Sequence, residues 1–456
     1  MSAPDLIGTS RPPAQPDAAL PPPVPGRRGP KSARLAILFI FITVLLDAMA
    51  LGMVAPVLPK LVAQLLSGDP LPARLVNHLP KGAASLAALI YGLFNTVFAL
   101  MQFFCSPVIG SLSDRFGRRP LILASNLGLG LNYVLMAWAP TLQWLFIGRL
   151  ISGITGASFG TASAYIADTT PIEKRANAFG LLGAAFGVGF VIGPAIGGFL
   201  GDFSPKAPFV VAAVFSLANA LYGLLVLPES LPKSLRSGFS WKRANPIGAL
   251  GLLVRHPELT GLSGVAFLSN LAQVSLPTTV VLYVTHRFNW SATQVGLTLT
   301  VVGVALIVVQ VGVVGRVVKR LGDRYAMVLG LVCGATGMTI AALASESWIL
   351  WAGIPILALW GIAGAAVQTL MTRHVTPSEQ GQLQGANASL TGISELVGPT
   401  VFSLVFAWFV RPGQPMAASG APFFLAGAIL LGAGVWGWWA TRGEAPGHTE
   451  APSPYG

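Results

Sequence analysis

Gly110 to Arg119 reads G-S-L-S-D-R-F-G-R-R, four charged residues packed between two long apolar stretches. No extended soluble loop fits in that interval, so the segment reads as a tight turn at the edge of a membrane. Gly110 and Gly117 let two helices approach and reverse closely, and Asp114 offsets part of the charge of Arg115, Arg118 and Arg119.

The composition agrees with a membrane setting. Of 456 residues 53% are hydrophobic and 10% charged, with a mean hydropathy of +0.69. That is too little polar surface to cover a soluble globule of this length. The formal net charge of +12 is spread over short connectors and gathered on no one segment, which excludes a nucleic-acid-binding reading. Cys105 and Cys333 lie far apart inside apolar runs without metal-ligand spacing, so they read as packing residues and no disulfide is expected.

At about 20 residues per crossing, twelve spans are expected, starting near Ala33, Ala83, Leu121, Leu142, Ala176, Pro208, Leu259, Gln294, Tyr325, Trp348, Gly381 and Pro422. The implied division is a disordered tail (1–32), a first six-helix bundle (33–228), a polar linker (229–258), a second six-helix bundle (259–442) and a second disordered tail (443–456). The apolar run Leu35 to Leu58 is too long for a signal peptide and carries Asp47, so it is expected to stay as a span. On this map one side of the membrane holds only Lys60, Arg74, Lys81, Lys206, Arg287 and Arg411 of the 28 basic residues, and Arg149 lies inside a span. The positive-inside rule then places the tails and the linker in the cytoplasm.

The chain also repeats itself. Gly110, Arg115, Gly117 and Arg119 recur as Gly315, Arg320, Gly322 and Arg324, each 205 residues later, and Gly180, Gly193 and Pro194 recur as Gly385, Gly398 and Pro399. Two halves in parallel register, each with an even number of helices, imply a pseudo-twofold axis along the membrane normal and a cavity between them. The second copy reads as having lost part of the motif, since Lys319 stands in place of the aspartate and Asp323 in place of an arginine.

A charge at a helix centre costs roughly 2.5–3.5 kcal/mol, and Asp47, Arg149 and Glu395 face that cost. Desolvation opposes ionisation of a carboxylate, which makes Asp47 a candidate proton carrier; the other reading is a carboxylate permanently paired or bonded to backbone. Arg149 either holds a cavity anion and tunes a carboxylate or belongs to a fixed polar network. Glu395 is either a second proton-coupling group or a lining residue without coupling. The fifth span runs G-V-G-F-V-I-G-P-A-I-G-G from Gly187 to Gly198, and Gly189, Gly193, Pro194, Gly197 and Gly198 read as a hinge or a seal against proton leak, set against ordinary small-residue packing. Gly156 to Gly160 matches a nucleophile-elbow pattern but lies within a helix, and no phosphate loop or H-E-x-x-H occurs. No enzyme, metal site or resident cofactor is expected. The five histidines fall in connectors, span ends or tails.

The loop at Gly110 resembles the signature loop of the major facilitator superfamily. The stretches Leu45–Pro59, Ser113–Pro120, Gly148–Ala157, Tyr165–Thr170, Gly193–Gly198 and G-Q-L-Q-G from Gly381 together resemble the tetracycline efflux proteins of the drug:proton antiporter group. The resemblance implies an all-α, twelve-span fold in a bacterial cytoplasmic membrane and alternating access between bilayer faces. It implies that Asp47 is the essential first-span carboxylate, that Gln102, Arg149 and Gln310 line the substrate path, that Asp114 steadies one conformation through a helix end of the other half, and that Arg118 pairs with Asp168. Three positions depart from the group: Asn132 where it has a third-span aspartate, Leu306 for its eighth-span histidine and Gly334 for its ninth-span aspartate. Asn132 is retained as a cavity candidate, and Glu395 as a partial replacement. The expected function is proton-coupled efflux of a small amphiphilic drug or metabolite, with tetracycline as its metal chelate one candidate. A proton-coupled uptake symporter and a non-transporting membrane sensor are the alternatives. Protons, a small molecule and the lipid bilayer are the expected partners.

Overall fold

The computed structural model describes residues 30–68, 82–156, 158–239, 245, 248–376 and 379–442. Both expected tails lie outside these residues except for 30–32, which belong to the first helix instead of a tail.

The described residues are helical with short connectors. The first half comprises α1 (Pro30–Val54), α2 (Leu58–Gly68), α3 (Ala83–Phe116), α4 (Arg118–Ala137), α5 (Leu142–Thr155), α6 (Ser158–Thr169), α7 (Ile172–Phe203) and α8 (Ala207–Val226). A five-residue helix α9 (Gly251–Arg255) sits within the expected linker. The second half comprises α10 (Pro257–Phe288), α11 (Ala292–Gly312), α12 (Val314–Leu321), α13 (Asp323–Leu343), α14 (Ser347–Ala358), α15 (Gly361–Arg373), α16 (Gln380–Phe409) and α17 (Ala421–Ala440). Among the described residues ten helical stretches are long and apolar enough to cross a membrane, and the α1–α2 pair, bent by 46°, brings the number to 11. The remaining expected span, the fourth, is present as α5 and α6, of 14 and 12 residues, each too short to cross alone.

Physical chemistry accounts for the breaks. Pro56 lacks an N–H and disfavours helical backbone at Ala55, so α1 ends there and α2 leaves at an angle. The amphipathic α2 was not anticipated, because its Lys60 and its mix of polar and apolar positions read as a connector. Large apolar side chains remain exposed along many helices, such as Leu225 at 79% and Val311 at 83%, as lipid-facing surface requires. Exposed Trp138, Trp348 and Trp439 lie at helix ends, where an amphipathic ring suits the membrane interface.

Helix packing repeats between the halves. The pairs α1–α7, α1–α8 and α4–α8 correspond to α10–α16, α10–α17 and α13–α17. The halves meet along α7–α11 and α3–α16. On the face away from the Gly110 loop these contacts are backbone to backbone. A β-carbon on Gly193 would lie 2.5 Å from the Met49 carbonyl oxygen of α1, and one on Gly197 would strike that of Met53. One position round the same helix, Pro194 presents its carbonyl to Gly296 of α11, and Gly198 meets Ala292. The second half repeats this contact, the Pro399 carbonyl facing Gly92 of α3. Towards the loop face the helices part: Gly110, Gly180, Gly183 and Gly187 have open space where a side chain would project. The molecule is a wedge, shut on one face and open on the other.

A methyl group introduced at Gly197 therefore has no room, whereas at exposed Gly432 of α17 it meets nothing. Gly197→Ala is expected to destabilise by roughly 1–3 kcal/mol through overpacking, and Gly432→Ala to leave stability unchanged or slightly raised. Thermal unfolding of the purified protein in detergent measures both; equal melting temperatures for the two variants would remove the close-packing argument.

Candidate functional site

Between the halves lies a cavity of about 810 Å³ reached from the loop face. The first half contributes Thr43, Asp47 and Leu51 from α1, Phe98, Gln102 and Ser106 from α3, Tyr133 from α4 and Arg149 from α5. The second half contributes Gly385, Ser389, Thr391, Gly392 and Glu395 of α16. Gly385, Ser389, Gly392 and Glu395 recur at three- and four-residue steps, so they fall on one helical face, with Thr391 beside it.

Arg149 is 6% exposed. Its Nη2 donates to Asn95 Oδ1 at 2.9 Å, and its guanidinium lies 4.6 Å from the Phe98 ring centroid, a cation–π geometry. Its Nε has no hydrogen-bond partner among the described residues. Asp47 and Glu395 make no hydrogen bond or ion pair there either. The permanently paired carboxylate considered for Asp47 thus finds no partner in this conformation.

Two expected lining residues are elsewhere. Asn132 is buried behind the wall, its Nδ2 donating to Ser152 Oγ at 2.6 Å, and it is Ser152 that faces the cavity. Gln310 is exposed on α11 towards its loop-face end, near Gly361 of α15, and does not line the cavity. Residue type and position along a span suggested both; neither fixes which way a helix is turned. Leu306 is likewise exposed and not among the lining residues, while Gly334 packs on Trp360 and Leu430.

The loop at Gly110 is a charge cluster. Arg118 bridges Asp114 at 2.5 Å and Asp168 at 3.1 Å, and its Nη1 donates to Ser113 Oγ. Arg119 donates to the Leu224 carbonyl of α8, and exposed Arg115 lies over the Phe116 ring. Gly117 has φ +108°, and a β-carbon there would strike the Glu229 carboxylate. Glu229 Oε1 accepts the backbone N–H groups of Arg118 at 2.8 Å, Ser230 at 3.1 Å and Leu231 at 3.1 Å. This linker residue supplies the anion at the N-terminus of α4, and no sequence signal marked it. Asp202 plays the same part on the closed face, accepting from the N–H groups of Ala292 and Thr293 at the start of α11.

The second copy of the cluster is inverted. Residues 114, 118 and 168 are Asp, Arg and Asp; 205 residues on, 319, 323 and 373 are Lys, Asp and Arg. Arg373 Nη2 donates to Asp323 Oδ2, so although the aspartate and arginine of the motif are replaced, the 118–168 pair persists in the second half with its charges exchanged. The exchange follows helix electrostatics. Asp323 opens α13 and Arg373 closes α15, the favourable polarity for each helix dipole. Arg118 opens α4 with the unfavourable sign, and Glu229 compensates. Nearby, Glu379 bonds the Thr376 hydroxyl and amide and His256, which holds its carboxyl below the usual range.

The chain belongs to the Major Facilitator Superfamily, whose model matches residues 40–399 and 262–455. It is similar to the class C tetracycline resistance protein of Escherichia coli, 38% identical over 402 residues that cover 88% of this chain and 97% of that one. The class B protein of Escherichia coli is 34% identical, over 79% of this chain and 86% of its own length. Among solved structures, the human organic anion transporter MFSD10 superposes with a TM-score of 0.66 at 22% identity, covering 90% of this chain and all of that one. A bacterial homologue of the human lysosomal transporter Spinster, in an inward-facing and unoccupied conformation, gives 0.71 at 16% identity, covering 91% and 98%. The protein is a multi-pass membrane transporter and not an enzyme.

The inverted polarity yields an asymmetric expectation. Asp323→Arg sets like charges against each other at a buried position and is expected to cost roughly 3 kcal/mol. Adding Arg373→Asp recovers more than half of that loss in melting temperature. The matching double exchange, Arg118→Asp with Asp168→Arg, recovers none, because the introduced carboxylate meets Glu229. Equal recovery in both halves would contradict the dipole argument.

Proposed function

We propose that this protein is a proton-coupled efflux pump of a bacterial cytoplasmic membrane, exporting a small amphiphilic drug or metabolite by alternating access. The observation that carries the reading is Asp47: a carboxylate without a partner among the described residues, in the wall of the cavity between the halves. The charge-rich loop face and the linker lie on the cytoplasmic side, the orientation that the basic residues favour. The relatives' names support a drug as cargo, and tetracycline as its metal chelate is one candidate. The departures at Asn132, Leu306 and Gly334 all lie outside the lining of this cavity.

The cycle uses the wedge in two positions. With the opposite face open, Asp47 takes a proton from outside. The halves then rock to the conformation described above, where the proton leaves to the cytoplasm as substrate enters beside Gln102 and Arg149. Substrate then turns outward and is released. Burial makes this exchange workable: a desolvated carboxylate is costly when charged and alone, so either a proton or a favourable substrate contact must accompany each turn. The Gly-Pro contacts of α7–α11 and α3–α16 close the outer face while the inner one is open, which limits proton leak. One proton crossing 100 mV supplies roughly 2.3 kcal/mol and a tenfold gradient costs about 1.4 kcal/mol. A single coupling carboxylate therefore suffices for an uncharged substrate gradient somewhat above tenfold.

Inverted membrane vesicles carrying the protein are expected to accumulate substrate when acidified inside, and Asp47→Asn to abolish that accumulation while folding normally. Movement driven in the opposite direction indicates the uptake symporter, and no flux from the wild type indicates the sensor. Concentrative export by Asp47→Asn at the wild-type level would falsify the coupling role.

A further inference from the structure

Among the described residues, three charged groups line the cavity: Asp47, Arg149 and Glu395. The positive one is already engaged, by Asn95 and by the face of Phe98. The two negative ones are not. Glu395 is exposed on the cavity face of α16, and no described residue supplies it with a donor or a counter-ion. Its neighbours on that face include the small residues Gly385 and Ala388, while the ring of Phe103 packs over Gly392. The surrounding wall is apolar and aromatic, with Phe98, Phe103, Tyr133, Met136 and Phe186.

An ionised carboxylate on that wall has its oxygens free to accept, and a cation at hydrogen-bond or contact distance makes a charge-assisted contact with it. The aromatic faces add to that preference, since a ring attracts a weakly hydrated cation more than a neutral group. We propose that Glu395 is a specificity-determining residue that makes this cavity select amphiphilic organic cations, with no metal ion needed to supply the charge. The proposal rests on the efflux reading above, in which Asp47 carries the proton. Glu395 then carries the charge of the cargo. Asp47 belongs to the first half and Glu395 to the second, so a bound cation is drawn by both halves, whereas a proton needs only the first. With Asp47 protonated, Glu395 balances Arg149 and the lining is neutral. With Asp47 ionised, one unit of negative charge is left for the substrate. Proton and cation thereby compete for one charge without having to share one side chain.

Binding of radiolabelled tetraphenylphosphonium to the purified full-length protein in detergent tests this. The wild type is expected to prefer tetraphenylphosphonium over uncharged triphenylphosphine oxide by about tenfold or more, the scale of one charge-assisted contact. Glu395→Gln is expected to lose about tenfold in affinity for the cation at an unchanged melting temperature, and Glu395→Asp to retain most of it. Equal wild-type affinity for the charged and neutral probes overturns the proposal even if Glu395→Gln does not fold. So does Glu395→Gln binding the cation as the wild type does, or tight binding of tetracycline only as its magnesium chelate. Vesicle flux separates this from the efflux reading. Proton-driven accumulation of tetracycline without any selectivity for tetraphenylphosphonium sinks the cation site alone. Glu395-dependent binding of the cation without proton-driven flux of either compound sinks the efflux reading and leaves the site standing.

Discussion

The close approach of α7 to both α1 and α11 is the constraint on which the rest of this molecule depends. Gly189, Gly193 and Gly197, four residues apart, form the strip that lies against the α1 backbone at Leu45, Met49 and Met53. Pro194 and Gly198, on the adjacent strip, lie against α11 of the other half at Gly296 and Ala292. In a bilayer there is no hydrophobic driving force between helices, so their association rests on packing and polar contacts, and small residues maximise the first. One helix thus fixes the position of Asp47 within its own bundle and the seam between bundles at the same time. The hydroxyl of Thr300 adds a polar stitch across that seam, donating to the Val191 carbonyl at 2.8 Å. Because the contact is confined to one end, the other end is free to part, and a cavity open on one face is the geometric result.

The repeated half explains why the seam has two symmetric lines. Pro194 lies against Gly296, and at the corresponding place in the other seam Ser403 and Pro399 lie against Gly92; in the proposed cycle both would release when the closed face opens. On the loop face the duplication is chemical as well as geometric, yet its charges are reversed. A pair keeps its geometry when both signs are exchanged, and what changes is its relation to the helix dipoles around it. Glu229 belongs with that difference: the first copy needs an added anion at the α4 N-terminus, and the second carries its own in Asp323.

Much of this was readable from the chain. Long apolar runs placed the helices, since each must satisfy its backbone internally and span a fixed thickness, and the spacing of 205 residues announced two halves. Orientation about each helix axis was less accessible. Gln102 and Arg149 do line the cavity, but Asn132 turns to Ser152 and Gln310 stands outside it. In a span surrounded by apolar neighbours on every side, the period that separates inward from outward faces is weak. The Asp323–Arg373 pair was hidden for another reason. A position-by-position comparison registers a lost arginine, and only the fold brings position 373 to it with the compensating sign. Glu229 and Asp202 had no local marker at all, because the N-termini they cap lie more than 80 residues away in the chain.

The unpartnered groups in the wall bear on the rocking motion proposed above. Several other charges at the membrane faces are matched: Arg118 by two aspartates, Asp323 by Arg373, Asp202 by a helix N-terminus. Asp47 in the first bundle and Glu395 in the second are left without a protein partner among the described residues. A carboxylate permanently satisfied by its neighbours would make every conformation equally comfortable and give a ligand no leverage over the equilibrium. Two unsatisfied carboxylates on facing walls do the opposite. They make the free energy of each conformation depend on what the cavity holds, and a transporter requires that dependence if its halves are to move only when loaded.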